Sequence, residues 1–503
     1  MTPARRWARV GYTLTMPTLR RITLDELQER RWELLALSSV GAFMAPMDGS
    51  IVAVALPAMS PDLHLSFGAS IWVQAAYLLA MAVLLIPLGR LADHRGRVHF
   101  YLAGIVVFTL GSLLSALSMN GPWLIASRTV QGAGGALMSA TAAAIVTAVF
   151  PPRERGRALG INVMAVYTGL SVGPVLGGQL VDHFGWPSIF LVNLPIGVAA
   201  LIWGWFLLPR GERQEAPAPR PDAVGTVLLG AVLICLLAPL TFASEWGWAA
   251  PRTVTLLALS AASLAAFVVT ELRVREPILD LDLLLHNRLF ASANAAALLN
   301  YMALYAISIL TAVFLEAVQG KSAGLTGWIM LGQPGVQALL SPLSGHLSDK
   351  LGSRLLSTTG MVIVAAGMVL LATMPTTAGI SRVVASLAVV GVGLAAFSAP
   401  NTSAIMGSVG RGQLSVASAF LGTMRVTGQA LSLAVLGGIA ASKLGRVGGR
   451  FLYLHGQGLN PTLAALAARH YADGYRIAML TGAGLALVGA VASLTRGAHT
   501  AQV

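Results

Sequence analysis

Fourteen apolar runs, each about 20 residues long, follow one another along this 503-residue chain. They lie at roughly 35–57, 70–89, 99–118, 123–149, 159–181, 189–208, 224–243, 253–271, 290–315, 325–347, 355–374, 382–406, 415–440 and 477–495. As an α-helix, a run of that length crosses the ~30 Å hydrocarbon core of a bilayer. Closed barrels give short alternating segments, so long continuous runs mean helices. Composition agrees, with 56% hydrophobic and 11% charged residues, against about 25% charged in a soluble globular chain. The expected fold is an all-α polytopic membrane protein of 14 spans.

The net charge of +13 suggests nucleic acid only until its placement is followed. With the N-terminus in the cytoplasm and sides alternating, most of the 33 Lys and Arg fall on the cytoplasmic face, as membrane topology favours. Lys443, Arg446 and Arg450 are exceptions on the outer side. An even span count returns the C-terminus to the cytoplasm. The polar first 34 residues predict no cleavable signal peptide. Thr23 and Glu26 form a capping-box pair that opens a short surface helix over 24–33. Cys235, the single cysteine, is read as apolar packing in the seventh run.

The chain repeats itself. Gly89-Arg90-Leu91-Ala92-Asp93-His94-Arg95-Gly96 returns 256 residues later as Gly345-His346-Leu347-Ser348-Asp349-Lys350-Leu351-Gly352. Both copies close the second helix of a six-helix set, which predicts two six-helix bundles in parallel orientation. The surplus in the offset is filled by runs seven and eight. The predicted organisation is a cytoplasmic segment 1–34, an N-terminal bundle 35–208, a linker with two extra transmembrane helices 209–289, a C-terminal bundle 290–496 and a tail 497–503. An Ala/Leu-rich stretch within 441–476 predicts a helix lying along the outer surface.

Asp48 lies near the middle of the first run, deeper than any other acid. A carboxylate at that depth is costly and is kept for use, most simply to carry a proton or hold a cation. Arg128 and Gln131, three apart in the fourth run, share a helix face, and an arginine there needs a partner or water. Gly169, Gly173 and Gly177 give the fifth run a smooth face for close helix contact. Pro174 bends it, and Gly178 follows. In the loop between runs two and three, Gly89, Asp93, Arg95, Gly96 and Arg97 predict a cytoplasmic latch, repeated at Gly345, Asp349 and Gly352.

These residues resemble the major facilitator superfamily, specifically its fourteen-helix drug:proton antiporter branch, over about residues 35–496. The Gly89–Arg97 loop is similar to the superfamily's cytoplasmic signature. Arg128, Gln131 and Gly132 match the proton-coupling motif of the fourth span, and Gly169–Gly178 the antiporter motif of the fifth. Asp48–Pro57 resembles the first-helix motif of the branch, with Ser50 and Ala53 where threonine and asparagine are usual. His94, Val98 and Glu316 also depart from the pattern. The resemblance implies the major facilitator fold with two extra spans and alternating access. It also implies proton coupling through Asp48, Arg128 and Gln131.

The resulting expectation is export of lipophilic, neutral or monocationic compounds from the plasma membrane of a bacterium, in the manner of multidrug efflux. One deep acid favours monocations over dications. Candidate cavity residues are Met44, Met47, Gln74, Tyr77, Asn300, Tyr301, Tyr305, Gln337, Asn401 and Arg425. The expected partners are a small-molecule substrate, a proton and the lipid bilayer, with the chain acting as a monomer. No cofactor is expected beyond the proton gradient. Without a phosphate-binding G-x-x-x-x-G-K-[ST] loop, ATP does not drive the cycle directly. No catalytic or metal site is expected, because the nine histidines are scattered without H-E-x-x-H. The alternatives are a dedicated exporter of one endogenous metabolite, a proton-coupled importer and a membrane-embedded transferase.

Overall fold

The computed structural model describes residues 29–207, 222–274, 277, 281–409, 414–444 and 461–496. Among them all regular structure is helical. The first half comprises α1 (Arg31–Asp62), α2 (Phe67–Arg95), α3 (Arg97–Ala116), α4 (Gly121–Val149), α5 (Pro152–Phe184) and α6 (Asn193–Leu207). Next come α7 (Ala223–Trp246) and α8 (Pro251–Glu271). The second half comprises α9 (Arg288–Val313), α10a (Ala323–Met330), α10b (Gly332–Leu351), α11 (Ser353–Ala372), α12 (Ile380–Gly407), α13 (Leu414–Ser432) and α14 (Pro461–Leu494).

Local sequence sets many of these boundaries. Ser66, Asn120, Asn287 and Ser322 each accept a backbone N–H of the first turn of α2, α4, α9 and α10a. Such caps satisfy donors that a helix start otherwise leaves bare. Proline opens α5, α8 and α14, where its missing N–H costs nothing.

Among the described residues, thirteen helices are long and apolar enough to cross a membrane. The run expected at 325–347 is absent from that set. It is broken at Leu331 into α10a and α10b, where Gly332 and Pro334 weaken the helix. The surface helix expected within 441–476 is also corrected. From Pro461 the chain is one helix to Leu494. Tyr471 and Tyr475 are buried in it, bonding Leu310 O at 2.8 Å and Thr311 Oγ1 at 3.1 Å. An inward aromatic face of this kind belongs to a packed helix. Most of the segment expected as a surface helix at 24–33 lies outside the described residues, and Arg31 already begins α1. The linker at 209–221 also lies outside them.

The repeat has a structural counterpart. Gly96 and Gly352 both separate consecutive helices, with φ of +105° and +84°. Each donates its N–H back one turn, to Ala92 O at 3.0 Å and Ser348 O at 2.9 Å. Only glycine takes that backbone conformation without strain, which explains why the loop sequence recurs.

Within the first half α1 packs on α5, α2 on α4 and α3 on α4; within the second, α9 packs on α13 and α11 on α12 and α14. The largest contacts between the halves are α5 with α10a, α2 with α13, and α1 with α9. Helix α7 packs on α8 and touches both α2 and the π-helical turn Leu433–Gly437 that follows α13.

Candidate functional site

Asp48 is fully buried in α1, and four side chains from three other helices close on it. Arg128 Nη1 donates to Asp48 Oδ2 in a buried ion pair. Gln131 Nε2 donates to Asp48 Oδ1 at 2.7 Å and Asn193 Nδ2 to the same oxygen at 2.9 Å. Ser112 Oγ accepts from both amides, at 2.6 and 3.2 Å. Asp48, Arg128, Gln131, Asn193 and Ser112 are each 0% exposed. The carboxylate is therefore held by one cation and two amide donors with no route to water.

Arg128 is held as fully. Its Nε donates to Val73 O at 3.2 Å, its Nη2 to Gln74 Oε1 at 3.0 Å and its Nη1 also to Gln131 Oε1. Its guanidinium lies 4.5 Å from the centroid of Tyr77 and 5.7 Å from that of Phe190. These aromatic faces add cation–π attraction. A buried ion pair is tolerated only when the remaining donors are satisfied, and here every nitrogen of the guanidinium has a partner.

The ends of the helices place the site in depth. Arg128 lies seven residues past Gly121, at the start of α4, or about 10 Å along the helix. That end is opposite the Gly89–Arg97 loop. The Asp48 site thus sits in the half of the bilayer farther from the loop. The network then leaves the first half of the chain. Gln74 Nε2 donates to Tyr305 Oη at 2.7 Å, and Tyr305 belongs to α9.

The glycines of α5 permit its contact with α1. A Cβ on Gly169 would strike Phe43 O, one on Gly173 would meet Met47 O at 2.8 Å, and one on Gly177 would meet Ile51 O at 3.1 Å. Gly178 faces Ala323 of α10a, and Gly327 returns the contact to Pro174. Next to them Asp182 Oδ2 accepts the Gly324 N–H at 2.8 Å. The glycine-and-proline stretch therefore serves two interfaces, one within the first half and one between halves.

Other expected site residues are sorted differently. Gln74 and Tyr77 belong to the Asp48 network, with Tyr77 Oη donating to Ala45 O at 3.2 Å. Met44 and Met47 are 0% exposed and packed among the helices, and Asn401 Oδ1 accepts from buried Arg496 Nη2. Gly345 was expected to pack closely, yet a Cβ there meets nothing within 4 Å. Arg97 Nη1 reaches Ala144 O at 3.2 Å, and Gly89 faces Ala140. The side chains of Asp93, Arg95 and Asp349 lie outside the described residues, and so does the charged part of the expected latch. Tyr305 meets Gln74 of the other half, Tyr301, Gln337 and Arg425 lie near Tyr167 of α5, and Asn300 is fully buried.

Sequence reasoning missed Asn193, Ser112 and Arg496. Asn193 carried a usable signal, since it is the one side chain with hydrogen-bonding capacity that interrupts the apolar stretch Ile189–Ala200. Ser112 and Arg496 carried none, a lone serine being common in helices and Arg496 following the last apolar run.

A multi-helix membrane body with a buried ionic network that links its two halves defines a transporter. Comparison with known proteins agrees. Residues 38–284 match the family model described as Major Facilitator Superfamily. The chain is 31% identical to the riboflavin transporter RibZ of Clostridioides difficile (strain 630), over 83% of this chain and 90% of that one. It is 32% identical to the tetracenomycin C resistance and export protein of Streptomyces glaucescens, over 84% and 78%. It is 34% identical to the multidrug resistance protein Stp of Mycobacterium tuberculosis (strain CDC 1551 / Oshkosh), over 82% and 77%. Its fold is similar to that of a bacterial homolog of the human lysosomal transporter Spinster, with TM-score 0.64 and 16% identity over 92% and 96% of the two chains. The chain belongs to the Major Facilitator Superfamily. It is a multi-pass membrane protein of the bacterial type and a transporter of small molecules, not an enzyme.

Proposed function

We propose that this transporter is a proton-coupled antiporter of the fourteen-helix branch, exporting lipophilic small molecules by alternating access. The observation that carries the reading is the chain of bonds from Asp48 through Arg128 and Gln74 to Tyr305. A proton on Asp48 removes the anion that Arg128 faces. Breaking one partner out of a buried pair costs about 3–5 kcal/mol, so the guanidinium then shifts toward other acceptors. Gln74 shares that guanidinium and holds Tyr305 across the halves, so protonation loosens one of their contacts. Release of the proton restores the pair and the contact. Residues 35–208 and 290–496 form the two moving bodies, and α7 and α8 lie between them in sequence.

Charge selection is revised by the geometry. A monocation was expected to be drawn by Asp48, but Arg128 already neutralises that carboxylate in a closed site. Lipophilicity remains part of the proposal, with no cationic group required of the substrate. The name of the Streptomyces glaucescens relative favours a second reading, in which the cargo is one endogenous metabolite. A pump-deficient bacterial host expressing this chain tests both. Antiport predicts reduced accumulation of at least one compound from a broad panel, with the effect lost on adding an uncoupler. Protection that persists after the proton gradient collapses contradicts it. Protection confined to one chemical scaffold selects the dedicated exporter.

A further inference from the structure

Arg128 and Arg425 both lie deep within helical runs, and their surroundings differ. Arg128 is enclosed and paired with Asp48. Arg425 of α13 is only partly buried, and among the described residues no carboxylate or hydrogen-bond acceptor engages its guanidinium. It lies eleven residues past Leu414, about 16 Å along the helix, far below headgroup depth. An arginine at that depth requires an anion, an acceptor or water.

The groups around it point to an acceptor. Tyr301 of α9 packs on the same side of α13, its Cβ 3.0 Å from where Gly428 would carry one. Gly428 is three residues beyond Arg425 and shares its face. From the other half of the chain Tyr167 of α5 comes within electrostatic reach of Arg425 and Tyr301, its hydroxyl hydrogen-bonded to Ser398 and Gln337. Tyr167, Tyr301 and Arg425 are partly exposed although each is remote from a helix end, and the two tyrosines approach the guanidinium from opposite halves of the chain. Asn300, next to Tyr301, is 0% exposed, and neither its Oδ1 nor its Nδ2 has a hydrogen-bond partner. Buried polar groups are nearly always satisfied. An unpaired guanidinium at this depth, with two tyrosines within electrostatic reach, is suited to receive an acidic group.

We propose that Arg425, with the hydroxyls of Tyr167 and Tyr301, docks the acidic head of the substrate, a carboxylate, phenolate or enolate on an otherwise lipophilic molecule. Tyr301 lies one helical turn from Tyr305, the end of the chain of bonds that begins at Asp48. An anion bound here therefore sits next to the contact that the proton site controls. The proposal deepens the antiporter reading, and equilibrium binding tests it without any proton gradient.

The test uses the purified full-length chain in detergent. The probes are matched pairs of polycyclic aromatic acids and their methyl esters, such as 1-pyrenebutyric acid and its ester, with binding read from quenching of tryptophan fluorescence. The acids are expected to bind at least about tenfold more tightly than their esters at neutral pH, as charge-assisted hydrogen bonds do over neutral ones. The acid-to-ester ratio falls to near one in Arg425→Gln and is largely kept in Arg425→Lys. Circular dichroism and a single elution peak check each variant. Should Arg425→Gln fail to fold, the wild-type ratio still decides. Equal affinities for acid and ester, no acid binding up to millimolar concentration, or an undiminished ratio in folded Arg425→Gln each overturn the proposal. Failure of proton coupling with the acid preference intact leaves this site standing and removes only the antiport reading.

Discussion

The amide of Gln74 donates to the hydroxyl of Tyr305 at 2.7 Å, joining two helices from opposite halves of the chain. The same amide group accepts from Arg128 on its oxygen. Gln74 is thus the hinge pin between the buried ion pair and the interface of the halves. Removing the acceptor should uncouple them while leaving the pair intact. Tyr305→Phe is expected to lower transport several-fold, in line with the roughly 0.5–1.5 kcal/mol net worth of one hydrogen bond. Substrate uptake into inverted vesicles checks this, and a rate equal to wild type counts against a coupling role for the contact.

The ion pair should behave as a unit. Arg128→Met leaves Asp48 buried and uncompensated, a loss of about 3–5 kcal/mol. Adding Asp48→Asn removes the stranded charge and should restore most of the lost thermal stability. It should not restore transport. Thermal unfolding of the two single variants and the double variant measures the coupling. Additive losses would show that the two side chains are energetically independent.

Asn193 gives a sharper check, because it lies outside every motif of the sequence and is tied to the site by its contact with Asp48. Asn193→Ala withdraws one of two amide donors from Asp48 Oδ1. A hydrogen bond to a charged group is worth about 1.5–3 kcal/mol, so both stability and transport should fall clearly. Asn193→Leu should do the same, although it suits the lipid-facing remainder of α6 better. Wild-type behaviour of either variant removes Asn193 from the site.

Glycine positions should divide by what their missing Cβ would touch. Gly173→Ala forces the added methyl toward Met47 O at 2.8 Å, and overpacking of this kind costs about 1–3 kcal/mol. Gly345→Ala meets nothing within 4 Å and should leave transport and melting temperature unchanged. Gly96→Ala suffers from its φ of +105°, which only glycine takes without strain. Melting temperatures of the three variants in detergent give the ranking directly.

The helical architecture was legible because each span must hide its own backbone in about 20 apolar residues. The places where that reading failed have a common cause. Around Leu331 and Pro461 the sequence signal is weakest, with glycine and proline in the first case and an Ala-rich, polar-tinged stretch in the second. Packing decided the second: the Tyr471 and Tyr475 rings turn inward and draw the segment into one long helix. In the site, Asp48, Arg128 and Gln131 were legible because ionic and amide groups are conspicuous within apolar runs. Met44 and Met47 show the limit of that signal, because a flexible apolar side chain looks the same in a cavity wall and in a helix contact. What sequence could not give was the partners of the two arginines, Asp48, Gln131, Gln74 and Val73 O for Arg128 and no described acceptor for Arg425, since those depend on the fold.

The central claim is that ionisation of Asp48 drives the cycle. Purified wild type and Asp48→Asn are reconstituted in proteoliposomes, and substrate movement is followed under an imposed pH gradient and without one. The account predicts that the gradient accelerates uphill transport by wild type, whereas Asp48→Asn carries substrate only down its own gradient and ignores the pH difference. Uphill transport by Asp48→Asn that still follows the pH gradient would contradict it.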